Sequence, residues 1–180
     1  MSDQPASYKP TNETAPPKAS IPLLCWDVAN PLLIKHQRMA SDLQAFGQLK
    51  AHFDWQIDTN LRPLLADNTT MIVTDRTAHI VWVSNGFYGL TGYQPSEALG
   101  RSPAFLQGPR TSSRSKEIVR QKLTCGQAVA VKMLNYRKEG TPYWCQIDIQ
   151  PLMNSQNECT HFIAFEKEFL DGVSYKSMRT

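Results

Sequence analysis

The spacing of apolar positions changes character along the chain. Residues 1–20 show no apolar period; Pro5, Pro10, Pro16 and Pro17 stand among Ser, Thr, Asn and Lys. Such a stretch buries too little apolar surface to offset its ordering entropy, so disorder is expected there. Ile21-Pro22-Leu23-Leu24-Cys25-Trp26 is the first apolar run, and order is expected to begin with it. Asn30-Pro31 reads as a helix start, an N-capping side chain followed by proline in the first helical position. Met39, Leu43, Phe46 and Phe53 then recur at helical spacing, with Leu49 near the stripe. They predict one amphipathic helix over residues 31–53. A second short helix is expected over 58–66, with Pro63 tolerated in its first turns.

After Asp67-Asn68 the texture changes to short strands and small helices. Met71-Ile72-Val73-Thr74 and His79-Ile80-Val81-Trp82-Val83 are β-rich runs that Asp75-Arg76-Thr77-Ala78 joins as a hairpin. Residues 85–107 accommodate three short helices, broken at Gly92, Gly100 and Gly108. A longer helix is expected over 113–124, with Ile118, Val119 and Leu123 on one face. Three long strands follow, Ala128–Arg137, Tyr143–Pro151 and Thr160–Glu168. The first turn between them, Lys138-Glu139-Gly140-Thr141, places glycine where a positive φ is needed; the second is Asn154–Asn157. Two strands, a helical insert and three strands predict an α+β domain over 69–168, a five-stranded antiparallel sheet with helices on one face. A helical N-terminal extension, 21–68, precedes it and a short polar tail, 169–180, follows.

Composition narrows the function classes more than the fold. With 41% hydrophobic and 19% charged residues the chain reads as an ordinary soluble protein. A net charge of +3, with Lys and Arg scattered, gives no footprint for nucleic acid or anionic lipid. Cys25, Cys125, Cys145 and Cys159 form no CxxC pair, which argues against a zinc site and a disulfide scaffold. No leader-like or membrane-length apolar run is seen, so a reduced cytoplasmic setting is expected. Nucleophile–base pairs, metal clusters and phosphate loops are not evident, and the protein is not expected to be an enzyme.

The element order resembles a PAS domain, with Ser84-Asn85-Gly86-Phe87 through Leu90-Thr91-Gly92-Tyr93 like its entry helix. The stretch Gly100-Arg101-Ser102-Pro103-Ala104-Phe105-Leu106-Gln107-Gly108-Pro109 resembles GRNCRFLQGP of the flavin-binding LOV subclass. Asn135-Tyr136-Arg137-Lys138-Glu139-Gly140-Thr141-Pro142-Tyr143-Trp144 resembles its NYRKDGTPFW. The resemblance implies a sensory module and, as cofactor, FMN or FAD. It also marks departures. Pro103 stands where the subclass has the cysteine that attacks the photoexcited flavin, and Ala104 where it has a phosphate-binding arginine. Cys145 replaces a second asparagine facing the ring, and Glu166 a glutamine that reads the flavin's protonation state. Gln107, Asn135 and Arg120 are retained, the last matching a second phosphate-binding arginine. Covalent adduct chemistry is therefore not expected. Leu106, Thr74 and Phe162 complete the candidate binding set.

Strand alternation gives a check independent of the resemblance. If Asn135 faces a pocket, so do Val131 and Met133; Cys145, Ile147 and Ile149 share one face of the next strand, and Phe162, Ala164 and Glu166 one face of the last. Such a set suits a small-ligand cavity and equally a core filled by its own side chains. Glu166 is either a ligand's hydrogen-bond partner, balanced by Arg120 or Lys116, or a strand-end residue reaching water. Haem is disfavoured because His79 and His161 lie on strands and His36 and His52 in the extension.

The opposite face carries Met71, Val73, Leu134, Trp144, Ile163 and Phe165, joined by Trp82. A surface this apolar requires a cover, and helix 31–53 supplies one, within the chain or exchanged across a homodimer. Two functions follow. One is a ligand-responsive module signalling to a separate partner protein; the other is a ligand-free interaction or dimerisation module.

Overall fold

The computed structural model describes residues 30–57 and 69–169. The expectations for residues 1–29, for a short helix over 58–66 and for the tail beyond 169 lie outside the described residues. Helix α1, Pro31–His52, opens as expected: the Asn30 side-chain oxygen accepts from the Leu32 and Leu33 amides at 3.0 and 3.4 Å. It satisfies amides that a helix start otherwise leaves without partners.

Strands β1, Thr70–Asp75, and β2, Ile80–Val83, form the first hairpin. Asp75 closes it, its carboxylate accepting from the Thr77 and His79 amides and the Thr77 hydroxyl. The insert comprises α2, Phe87–Thr91, α3, Pro95–Ala98, a 3-10 turn, Pro103–Leu106, and α4, Ser113–Thr124. Gly92 ends α2 with φ of 75°, a left-handed conformation that favours glycine. Gly108 acts differently: a Cβ there would lie 2.3 Å from the Tyr136 ring, so glycine permits a close approach. Strands β3, Val129–Tyr136, β4, Pro142–Met153, and β5, Cys159–Glu168, complete one antiparallel sheet in the order β2-β1-β5-β4-β3. The fold is thus α+β, with the insert helices on one face and α1 on the other.

The outer face explains α1. Phe46 joins Trp55, Met71, Val73, Leu152, Ile163 and Phe165 in one buried cluster, with Met39, Leu43, Leu49, Phe53 and Trp82 packed around it. The helix therefore covers the sheet of its own chain. A polar tie reinforces it: buried Asp42 accepts from the Asn85 backbone amide and side-chain amide, each at 2.9 Å. Cover is partial, however. Leu134 and Trp144, expected beneath the helix, lie outside this cluster, and Trp144 packs instead on Phe169. A helix about 10 Å wide spans about two strand spacings, too little for five strands.

Candidate functional site

On the inner face, alternation along three strands brings the expected residues together. Met133, Cys145, Ile147, Ile149 and Phe162 form one buried cluster with Val129, Leu90 and Tyr143, and Val131, Val119 and Leu123 pack against it. Asn135 and Glu166 are each 3% exposed and share this face by strand parity. Gln107, at the end of the 3-10 turn, forms a β-bridge with Asn135, and Leu106 is buried in the adjoining cluster with Ile72, Ile80, Val83, Phe87 and Ala98. Thr74 is buried and stands opposite Phe162 in the β1–β5 register.

Arg120 is placed elsewhere. Its guanidinium is largely exposed on α4 and paired with Glu117, 2.8 Å away. Nor does it balance Glu166: among the described residues neither Arg120 nor Lys116 forms an ion pair with that carboxyl. The strand-end alternative, with Glu166 reaching water, does not hold either, because the residue is buried. Burial pushes its carboxyl up to about 7, and a contact from the Cys145 thiol, Sγ to Oε2 at 3.8 Å, relieves this slightly. Burial likewise pushes up the Cys145 thiol and the Tyr143 phenol, with the nearby Glu166 charge adding to both. The Cys145 thiol and the Tyr143 phenol therefore stay protonated throughout the neutral range, whereas the Glu166 carboxyl is a proton donor only below about 7.

Two atoms here stand out. By strict hydrogen-bond geometry Asn135 Oδ1 and the Tyr143 hydroxyl are buried without a partner, although the two residues face each other across β3 and β4 and the Asn135 side chain lies near enough to lower the phenol's value against its burial. Leaving such atoms unpaired costs about 1–3 kcal/mol each. Helix α4 lies over the same strands yet buries none of its residues; Val119 and Leu123 are only partly covered. Buried polar atoms on this face suit the polar edge of a bound ring, and the buried cluster around them equally suits a core filled by its own side chains. A ring N–H can donate to Asn135 Oδ1, Tyr143 can donate to a ring acceptor, and Phe162 and Leu106 supply apolar faces. Tyr143 was not singled out from the sequence, although it shares the parity of Cys145 two residues on.

A concavity of about 860 Å³ opens elsewhere, between α1 and the start of the domain, with Ile34, Arg38, Asp42, Thr70, Asn85 and Glu168 in its walls. Its buried acid, Asp42, is already paired with Asn85. The inner sheet face, where buried polar atoms lack partners, is the stronger candidate. The histidines lie away from it: His161 sits in the outer-face aromatic group with Phe53 and Trp55, and His79 in the first hairpin.

Residues 68–168 match the family described as PAS domain. Phototropin-2 of Oryza sativa subsp. japonica is 34% identical over 116 residues, covering 61% of this chain and 13% of the relative. The chain thus spans a small part of that relative's length. A light-oxygen-voltage domain structure, from a flavin-analogue study of its mechanism, superposes with a TM-score of 0.59 at 32% identity, over 68% of this chain and 93% of that one. The PAS domain of the fruit-fly ELK potassium channel superposes with a TM-score of 0.55 at 27% identity, over 63% of this chain and all of that one.

Proposed function

We propose, from the premise that this chain belongs to the PAS domain family, that its LOV-like domain holds a flavin-class ring without covalent attachment and signals through α1 to a separate protein. The observation that carries this reading is the unpaired, buried Asn135 Oδ1 on the inner sheet face. Such a ring supplies light absorption and reversible electron uptake when bound. Asn135 and Gln107 hold its polar edge, Phe162 and Leu106 its faces, and Cys145, Tyr143 and Glu166 line the rest. Pro103, in place of the subclass's cysteine, offers no nucleophile, so any response runs through hydrogen bonds and protonation.

The route to α1 is short in this reading. Glu166 pairs in register with Thr70, and the Gly86 backbone packs on Thr70 beside Asn85, which holds Asp42 of α1. No helix among the described residues is long and apolar enough to cross a membrane, and Cys125, Cys145 and Cys159 are free thiols. Both observations support a reducing, cytoplasmic setting.

FMN titrated into the full chain, followed by quenching of its fluorescence, tests the ligand. The wild type should bind, and Asn135→Ala should bind at least about tenfold more weakly, as expected for a lost buried hydrogen bond. Equal affinity of the two, or no uptake by the wild type, refutes the reading. A second reading keeps the domain ligand-free, because most inner-face residues already form one buried cluster. Contacts then pass through the exposed Leu32, Leu33 and Ile34 at the start of α1, which would also serve a homodimer. Sedimentation of Leu32→Asp/Leu33→Asp against the wild type tests that surface.

A further inference from the structure

We propose that Glu166 makes ring binding proton-gated: the pocket accepts an oxidised heteroaromatic edge while the Glu166 carboxyl is neutral and rejects it once that carboxyl ionises. This rests on the ligand reading above. An oxidised isoalloxazine edge presents lone pairs at a carbonyl oxygen and an imine nitrogen. A neutral carboxyl has one O–H to give such an acceptor; a carboxylate has none and sets lone pair against lone pair.

The surroundings leave this choice to Glu166. From β4 it meets Ile147 in register and the Cys145 thiol at 3.8 Å; from β1 it meets Thr70. Burial keeps the Cys145 thiol and Tyr143 phenol neutral. Along β5, Glu168 lies two residues on, but Arg137 holds it at 2.7 Å. On α4, Arg120 is held by Glu117. Among the described residues no ion pair joins Glu166 to a cation, and burial sets its titration near 7. A glutamine at this place would donate at every pH.

Riboflavin is the probe, because the phosphate of FMN titrates near pH 6 and would confuse the result. Its dissociation constant for the full chain is measured by fluorescence quenching from about pH 6 to about pH 9, for wild type and Glu166→Gln. The wild-type constant should be flat on the acid side and rise about tenfold per pH unit once the carboxyl ionises, while the Glu166→Gln curve stays level. A level wild-type curve overturns the proposal, as does a variant that keeps the wild-type slope. Absence of binding at every pH in the wild type overturns the ligand reading itself, an outcome distinct from binding without pH dependence. Should the variant fold poorly, the wild-type slope alone decides.

Discussion

Truncating Phe46 to alanine should undock α1 while leaving the sheet folded. Phe46 is 4% exposed and seats among Met71, Val73, Ile163 and Phe165, with ring centroids 5.8 Å from Trp55 and 6.2 Å from Trp82. Removing a buried phenyl ring costs about 3–5 kcal/mol through lost transfer energy and the cavity left behind. The helix has little of its own to offset this. Gly47 sits in its interior, at about 1 kcal/mol relative to alanine, and helices in proteins draw most of their stability from packing an apolar face rather than from propensity. Asp42 and its two bonds from Asn85 would remain as the main tie. A loss of about 3 kcal/mol corresponds to roughly a hundredfold rise in opening. Native-state hydrogen exchange resolves it: amides of Pro31–His52 should exchange about a hundredfold faster in Phe46→Ala, and those of β4 and β5 much less. Equal acceleration of β5 and α1 would refute the view of α1 as a separable cover, and unchanged α1 protection would refute its docking through Phe46.

Three further outcomes are expected. Glu166→Gln should stabilise the ligand-free chain at about pH 8, where the buried carboxylate costs on the order of 3 kcal/mol, and do little at about pH 5, as read from urea midpoints. Its folded value lies above the unfolded one, so its favourable contribution is lost as pH rises toward and through 7. His161 has the opposite sign: burial lowers its value, with Asp75 partly opposing, so stability falls as pH drops below about 6.5, and His161→Gln should remove that loss. Gly108→Ala forces a Cβ into the Tyr136 ring, whose hydroxyl accepts from the Arg110 amide, and should cost about 1–3 kcal/mol in thermal or urea unfolding.

Regular elements were legible because their signals are local. Asn30-Pro31 announces α1, and alternation in 128–137 and 143–151 announces β3 and β4 to within two residues. Burial at strand ends was not legible. Lys167 and Glu168 suggest solvent around Glu166, whereas pairing with both β1 and β4 encloses it. Trp55 escaped for a different reason. The chain reverses at Asp54, with φ of 54°, and bridges Trp55 to Asn154, a contact between segments far apart in sequence. Asp42 reads as a polar helix position; its burial depends on Asn85, which arrives only with the fold. Arg120 matched a phosphate-binding position by resemblance, but its neighbour three residues back, Glu117, holds it on the surface.

The visible absorption spectrum of the purified full chain tests the central claim most directly. It is recorded after incubation with FMN or FAD, removal of excess by gel filtration, and again under blue light. The account expects a vibronically structured flavin band that travels with the protein and does not convert to a cysteinyl adduct, because Pro103 offers no thiol. A colourless protein that retains neither flavin would contradict it and leave an interaction module with a filled core.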